Sequence, residues 1–255
     1  MPTTRALVRR PGPRLAEGLV THVERQRVDV DVAVEQWAAY VDALAGVGWD
    51  VVEVVAAPHC PDSVFVEDTA VVYGDLAVIT RPGARERRPE TPAVAASLAA
   101  AGLRLAHVRA PGTLDGGDVL KVGTDVWVGL GGRTNEAGIA QLASHLEPLG
   151  ATVHTVPVTK VLHLKSAVTA LPDGTVIGHE PLVDDPGVFP SFLPVPEESG
   201  AHVVVLDDRT VLLAADAPAT AALLADRGLD VVTVDIGEFV KLEGCVTCLS
   251  IRLRA

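Results

Sequence analysis

The chain has 255 residues, 48% of them hydrophobic, with 33 acidic against 21 basic side chains and a formal net charge of −12. That balance argues against nucleic-acid binding, which depends on clustered Lys and Arg at phosphates, and no apolar run approaches the ~20 residues of a membrane span. With no Ser/Gly-rich linker and no apolar signal core behind Arg5, Arg9 and Arg10, residues 1–255 read as one compact, soluble, cytoplasmic domain.

In chain order, Arg5 to Arg9 reads as a strand. Asp31 to Gly46 is an amphipathic helix carrying Val34, Trp37, Val41 and Leu44, and Asp50 to Val55 is extended. Val64 to Thr80 predicts a hairpin turning at Tyr73-Gly74-Asp75. A helix capped by Thr91-Pro92 and stopped at Gly102 follows, then a strand from Leu103 to Val108. The same β-β-α-β order returns: a hairpin over Asp118 to Gly129, a helix capped by Thr134 and ending at Gly150, and a strand from Ala151 to Val158. Ser166 to Gly178 is a third hairpin, without a convincing long helix after it. Val203 to Ala214 is a fourth, followed by a helix from Asp216 to Arg227 and a strand from Leu229 to Val234. Cys248 to Arg254 supplies one strand of a last hairpin whose partner is Arg5 to Arg9. Five repeats therefore form a ring closed by both ends of the chain.

A reactive residue stands just ahead of each hairpin: Asp68, Asp115, His163, His202 and Cys248, at intervals of 47, 48, 39 and 46 residues. A ring with that period can bring carboxylates, an imidazole and a thiol to one centre, the composition of a nucleophilic hydrolase site for a cationic substrate. Each residue alone has a plainer reading. Cys248 fits a small buried core residue, and His163, in Leu162-His163-Leu164, fits a hydrogen-bonded core histidine. Asp62, Glu67 and Asp68 around Val64-Phe65-Val66 fit a solvated strand edge as well as a carboxylate cradle for a guanidinium with Phe65 against its flat face. Asp115-Gly116-Gly117-Asp118 fits a turn and lacks the helix and the Lys-Ser/Thr of a phosphate loop. Three cysteines cannot all pair, which suits a reducing compartment. Cys245 and Cys248 spell Cys-x-x-Cys, but without a helix start or further zinc ligands.

Taken together, Cys60-Pro61-Asp62-Ser63-Val64-Phe65-Val66-Glu67-Asp68, Ile79-Thr80-Arg81-Pro82-Gly83-Ala84, Leu114-Asp115-Gly116-Gly117-Asp118, Arg133-Thr134-Asn135, Leu162-His163-Leu164-Lys165-Ser166 and Thr247-Cys248-Leu249-Ser250 resemble the dimethylarginine dimethylaminohydrolases. The matches keep that family's order across almost the whole chain, and Pro13 to Leu19 is similar to its lid segment.

The resemblance implies a five-bladed α/β propeller of pseudo-symmetric ββαβ modules around a central active site. It also implies hydrolysis of methylated arginines to citrulline and an alkylamine, with no metal and no cofactor. It assigns Cys248 as nucleophile, His163 as general acid and base, and Asp115 as the residue that orients His163. Asp68 and Glu67 would bind the guanidinium nitrogens. Arg81 and Arg133 would grip the α-carboxylate, and Asp62 with the main chain near Leu19 and Leu242 would hold the α-amino group. A small-molecule partner is implied, and a homodimer is compatible. Gly200-Ala201-His202 departs from the family's Ala-Ala-Asn run, which puts the inner-ring hydrogen bonds of that unit in question and gives His202 no catalytic role. The alternatives are an arginine deiminase, though those chains are longer and carry a helical insertion, and a protein that binds methylarginine without turnover. An amidinotransferase is a more distant one.

Overall fold

The structure is a computed structural model that describes residues 4–254. Its strands form five three-stranded sheets, all with the same plan. In each, the middle strand is antiparallel to the first and parallel to the third. One sheet joins the two ends of the chain: β1 (Arg5–Val8) lies between β2 (Asp50–Glu53), reached through helix α1 (Val30–Gly46), and the final strand. The next comprises β3 (Ala70–Tyr73), β4 (Leu76–Ile79) and, after α2 (Thr91–Ala100), β5 (Arg104–His107). Then come β6 (Val119–Val122), β7 (Asp125–Leu130), α3 (Glu136–Leu146) and β8 (Thr152–Pro157), followed by β9 (Val168–Ala170), β10 (Val176–Gly178) and β11 (Phe192–Pro194). The last module has β12 (Val203–Val205), β13 (Thr210–Ala214), α4 (Pro218–Asp226) and β14 (Asp230–Val234). A short α5 (Gly237–Val240) leads on to β15 (Ile251–Leu253), which pairs with β1. This is the expected five-module α/β propeller.

Local chemistry sets the helix ends. The Asp29 carboxylate accepts from the amides of Asp31 and Val32 at the start of α1, a cap worth about 1 kcal/mol. Gly102 and Gly150 take the left-handed backbone that ends the helical segments before β5 and β8. Each of these helices returns the chain to a parallel third strand, a connection too long for a turn, and packs between modules. Val94 and Leu98 of α2 cluster with Ala77 and Ile79 of their own sheet and with Leu7 and Ile251 of the closing one. Each fully buried leucine of this kind stabilises the fold by about 1.5–3 kcal/mol.

The third module, as the pattern indicated, has no long helix; two short 3-10 turns stand in its place. Its space is filled by aromatic rings. Phe189 lies 5.6 Å from Trp127 of the preceding module and 6.3 Å from Phe192 of its own sheet.

Several boundaries differ from the sequence reading, for one reason. Val64 to Thr69, Leu164–Ser166 and the segment around Cys248 are not strands: single 3-10 turns or hydrogen-bonded turns precede the hairpins. Near the axis these segments bond to the neighbouring module instead of a strand partner. Glu67 N–H donates to the Cys248 carbonyl (3.2 Å), Gly117 N–H to Asp68 (2.8 Å), Leu164 N–H to Asp118 (3.0 Å) and Val203 N–H to the Thr169 hydroxyl (3.0 Å). An apolar run carries no sign of such a partner. Thr134 likewise is not the cap of α3; Asn135 is, accepting from Gly138 N–H. The Thr134 hydroxyl donates to Asp118 and accepts from Asp115 N–H. The fourth helix starts at Pro218 rather than Asp216. No helix among the described residues is long and apolar enough to cross a membrane.

Arg9 is fully buried, and its guanidinium donates to the carbonyls of Val55 (3.1 Å), Ser63 (3.2 Å) and Glu90 (3.1 Å). It ties β1 to the next module from beneath. Arg9→Met leaves these carbonyls without that donor, and we expect a loss of about 3 kcal/mol or more of unfolding free energy, measured by urea titration with an unchanged m-value.

Candidate active site

Asp68, Asp115, His163 and Cys248 all come from the inner turns that precede the hairpins. His163 is fixed by neighbours from two modules: its Nε2 lies 3.0 Å from Asp115 Oδ2 and its Nδ1 3.9 Å from Asp68 Oδ1. Asp115 is completely buried, accepts from Gly83 N–H (2.8 Å) and stands 3.8 Å from Arg133. Asp68 accepts from Arg87 and from Gly117 N–H. A Cβ on Gly117 would stand 2.7 Å from both Asp68 Oδ1 and His163 Nδ1, so this backbone approach requires glycine.

These contacts set the charges. Burial alone would lower the His163 pKa, but the carboxylates of Asp68 and Asp118 and the hydrogen bond to Asp115 outweigh it and push it up to about 9. Asp68, though buried, is held well below the usual carboxylate range by His163 and Arg87. Burial raises Asp118 to about 6. The Cys248 thiol is pushed up by its hydrogen bond to Cys245, by burial and by the nearby charges of Glu67 and Asp68. At rest the centre therefore combines an imidazolium at His163 with a protonated thiol at Cys248.

Cys248, His163, Asp68, Asp62, Phe65, Arg133, Leu19 and Leu242 line one pocket, as expected from the sequence. Phe65 packs edge-on against Phe239, with ring centroids 6.2 Å apart, and over Gly244, where a Cβ would stand 2.3 Å from the ring. The pocket is nearly shut, with a cavity of about 20 Å³. Its cover is the segment after Gly18: Leu19 N–H donates to Asp62 (3.0 Å), and Glu243 accepts from the amides of Thr21 (3.1 Å), His22 and Val23 (3.1 Å).

Two expected residues stand elsewhere. Arg81 does not line the pocket. Its bridge to Leu114 and its bond to the Gly112 carbonyl (3.0 Å) turn it to an outer groove beside α2. The second arginine at the pocket is Arg87, donating to Asp68, to Glu90 and to the carbonyls of Asp62 and Phe65. Glu67 sits behind the pocket wall: its Oε1 pairs with Lys165 (2.6 Å) and Arg252 facing a cavity of about 480 Å³, while its buried Oε2 has no partner. His202 bonds to the Ser166 carbonyl (2.9 Å), so that unit keeps an inner-ring contact, and it does not line the pocket.

Arg87 and Glu243 escaped the sequence reading. Arg85, Arg87 and Arg88 are alike as sequence, and a glutamate in the left-handed region (φ 62°) has no signature. Among the described residues, Asp68, Asp115 and His163 are the group close enough for a metal, with ligand atoms within 4.8 Å of one another. Arg87, Gly117 N–H, Gly83 N–H and the imidazole itself already engage those carboxylates.

Comparison with known proteins gives a consistent picture. Residues 49–197 match the family model described as arginine deiminase. The whole chain aligns at 66% identity with 98% of an N(G),N(G)-dimethylarginine dimethylaminohydrolase of Streptomyces coelicolor, and 96% of it at 34% identity with 98% of the Pseudomonas aeruginosa enzyme of that name. Among solved structures, a cysteine-to-serine variant of the P. aeruginosa protein complexed with citrulline superposes with a TM-score of 0.91 at 32% identity, covering 98% of this chain and all of the other. A histidine-to-glycine dimethylarginine dimethylaminohydrolase in adduct with S-methyl-L-thiocitrulline gives the same score at 31% identity over 98% and 99% of the two chains. In sequence over its full length and in the path of its backbone, this chain belongs to the dimethylarginine dimethylaminohydrolase family.

Proposed function

We propose that residues 1–255 form one catalytic domain that hydrolyses Nω-methylated arginines to citrulline and dimethylamine or methylamine through a covalent thiouronium on Cys248. The observation that carries this reading is the meeting of Cys248, an imidazolium at His163 and the Asp68 carboxylate in one buried pocket. Guanidinium is delocalised and a poor electrophile, so the site must fix its charge and present a strong nucleophile. Asp68 takes its N–H groups. Asp62 and the carbonyls of Leu19 and Leu242 hold the α-amino group. Arg133 takes the α-carboxylate, joined by the second N–H of Arg87 Nη1, whose first is held by Asp68. Arg87 here replaces Arg81.

The bound cation promotes loss of the Cys248 proton to solvent, the thiolate attacks Cζ, and His163, oriented by Asp115, gives its own proton to the departing amine, which would otherwise leave as a prohibitive amide anion. Neutral His163 then takes a proton from water as it attacks the thiouronium, releasing citrulline and restoring the thiol. The cavity is far smaller than the ~300–1,000 Å³ of ordinary ligand sites, so the segment held by Glu243 must lift for substrate to enter.

Incubation with asymmetric dimethylarginine is expected to yield citrulline and dimethylamine, with Cys248→Ser lowering kcat about 10⁴-fold or more. The arginine deiminase description of the matching family model favours a second reading, in which ammonia is released from arginine; ammonia from arginine without dimethylamine from the methylated substrate would select it. Binding without either product would leave a sequestering protein.

His163 must be protonated to release the amine, so kcat is expected to fall as pH rises through about 9. Asp115→Asn removes a carboxylate that raises this pKa, and the alkaline limb is expected to move down by about 1–3 units. An unmoved limb assigns it to another group.

Because carboxylates oppose ionisation of Cys248, a bound cation should ease it. Iodoacetamide alkylation followed against pH is expected to shift to lower pH when a small non-reacting amidine occupies the pocket. An unchanged profile excludes substrate-assisted deprotonation.

A further inference from the structure

Cys245 is the one reactive group at the centre that this chemistry leaves unused. Its sulfur lies 3.2 Å from that of Cys248, and neither cysteine is in a disulfide. The turn between them is closed by Cys248 N–H donating to the Cys245 carbonyl (3.1 Å), while Cys245 N–H points back at Cys248 Sγ (3.5 Å). A disulfide is about 2.05 Å long, so the two sulfurs need to approach by only about 1 Å. The cysteines differ in access: Cys248 lines the substrate pocket, whereas Cys245 does not and lies buried beside the Thr247 hydroxyl (3.2 Å). The two sulfurs share a hydrogen bond in which either can donate, and that contact lowers the Cys245 pKa against the opposing effect of burial.

We propose that Cys245 is a resolving thiol: a hydroperoxide that enters the substrate pocket oxidises Cys248, and Cys245 then closes a disulfide with it, blocking the nucleophile reversibly. In the first step Cys248 gives up its proton and attacks the peroxide as the thiolate, the O–O bond breaks, the departing hydroxide takes that proton as water, and Cys248 becomes a sulfenic acid. In the second, the Cys245 thiolate attacks the Cys248 sulfur, the S–O bond breaks and a second hydroxide leaves. Two thiols are oxidised by two electrons while the peroxide is reduced to two waters, counting the two thiol protons. The cost to the protein is a reversible pause, because a resolved sulfenic acid is spared the irreversible sulfinic and sulfonic stages.

The test uses the full chain treated with hydrogen peroxide and mapped by mass spectrometry. We expect the wild-type peptide holding residues 245–248 to lose two hydrogens, and dithiothreitol to restore both its mass and the citrulline-forming activity. In Cys245→Ser, and equally in Cys245→Ala, Cys248 is expected to gain two or three oxygens that dithiothreitol does not remove. Wild-type protein that gains oxygens at Cys248 at the same rate as these variants, with no loss of hydrogens, would overturn the proposal. The mass readout stands whether or not methylarginine is the substrate, so its failure is distinguishable from failure of the hydrolase reading.

Discussion

The carboxylate of Asp68 is the group on which the centre of the ring depends. It is almost wholly buried, a position that costs several kcal/mol for an unpaired charge. It is kept ionised because three partners from separate parts of the chain converge on it: Arg87 from the segment before α2, the amide of Gly117 from the next module, and the charged imidazole of His163 from the one after. The same contacts fix Arg87 at the pocket wall, bring the Asp115 turn close and hold His163 in its charged form. A single acid is thus at once a joint between modules and part of the pocket wall. The crowding explains why Gly117 tolerates no side chain there.

Much of this was legible in the sequence. The recurrence of hairpin, helix and strand survives translation into structure because each middle strand is buried on both faces and each helix packs between sheets, so both write long apolar patterns. The spacing of Asp68, Asp115, His163 and Cys248 also carried through, since one residue per module ahead of each hairpin is what a closed ring brings to its axis. What stayed hidden were choices made between equivalent residues by distant partners. Thr134 and Asn135 are both good helix caps; Asp118 and Asp115 claim the threonine, which leaves Asn135 for the helix. Arg81 and Arg87 are both arginines downstream of the cradle, and a bridge to Leu114 turns the first away. The inner turns looked like strands because their hydrogen bonds cross to the next module, a relation that no local pattern encodes.

The two faces of the ring share Glu67. One carboxylate oxygen answers Lys165 and Arg252 on the side of the larger cavity, and the other is buried without a partner. Its charge opposes ionisation of Cys248 from behind the wall. The aromatic filling of the third module serves a plainer end: Phe189 against Trp127 supplies the bulk that helices supply elsewhere, so the ring keeps its packing where a crossover helix is missing.

Ring closure by β1 and β15 also bears on how the protein comes to be folded. Arg5 pairs with Leu253, among the most distant contacts in sequence that the chain makes, and Cys248 sits in the turn that this pairing anchors. The entropy of closing so long a loop grows only slowly with its length, but contacts of this range slow folding. Local hairpins and helices can assemble module by module while the thiol still lacks its place beside His163 and Asp68. Cys248 thus takes its place through the contact that joins the two ends of the chain, and a chain whose ends have not met holds its acids and imidazole without that thiol beside them.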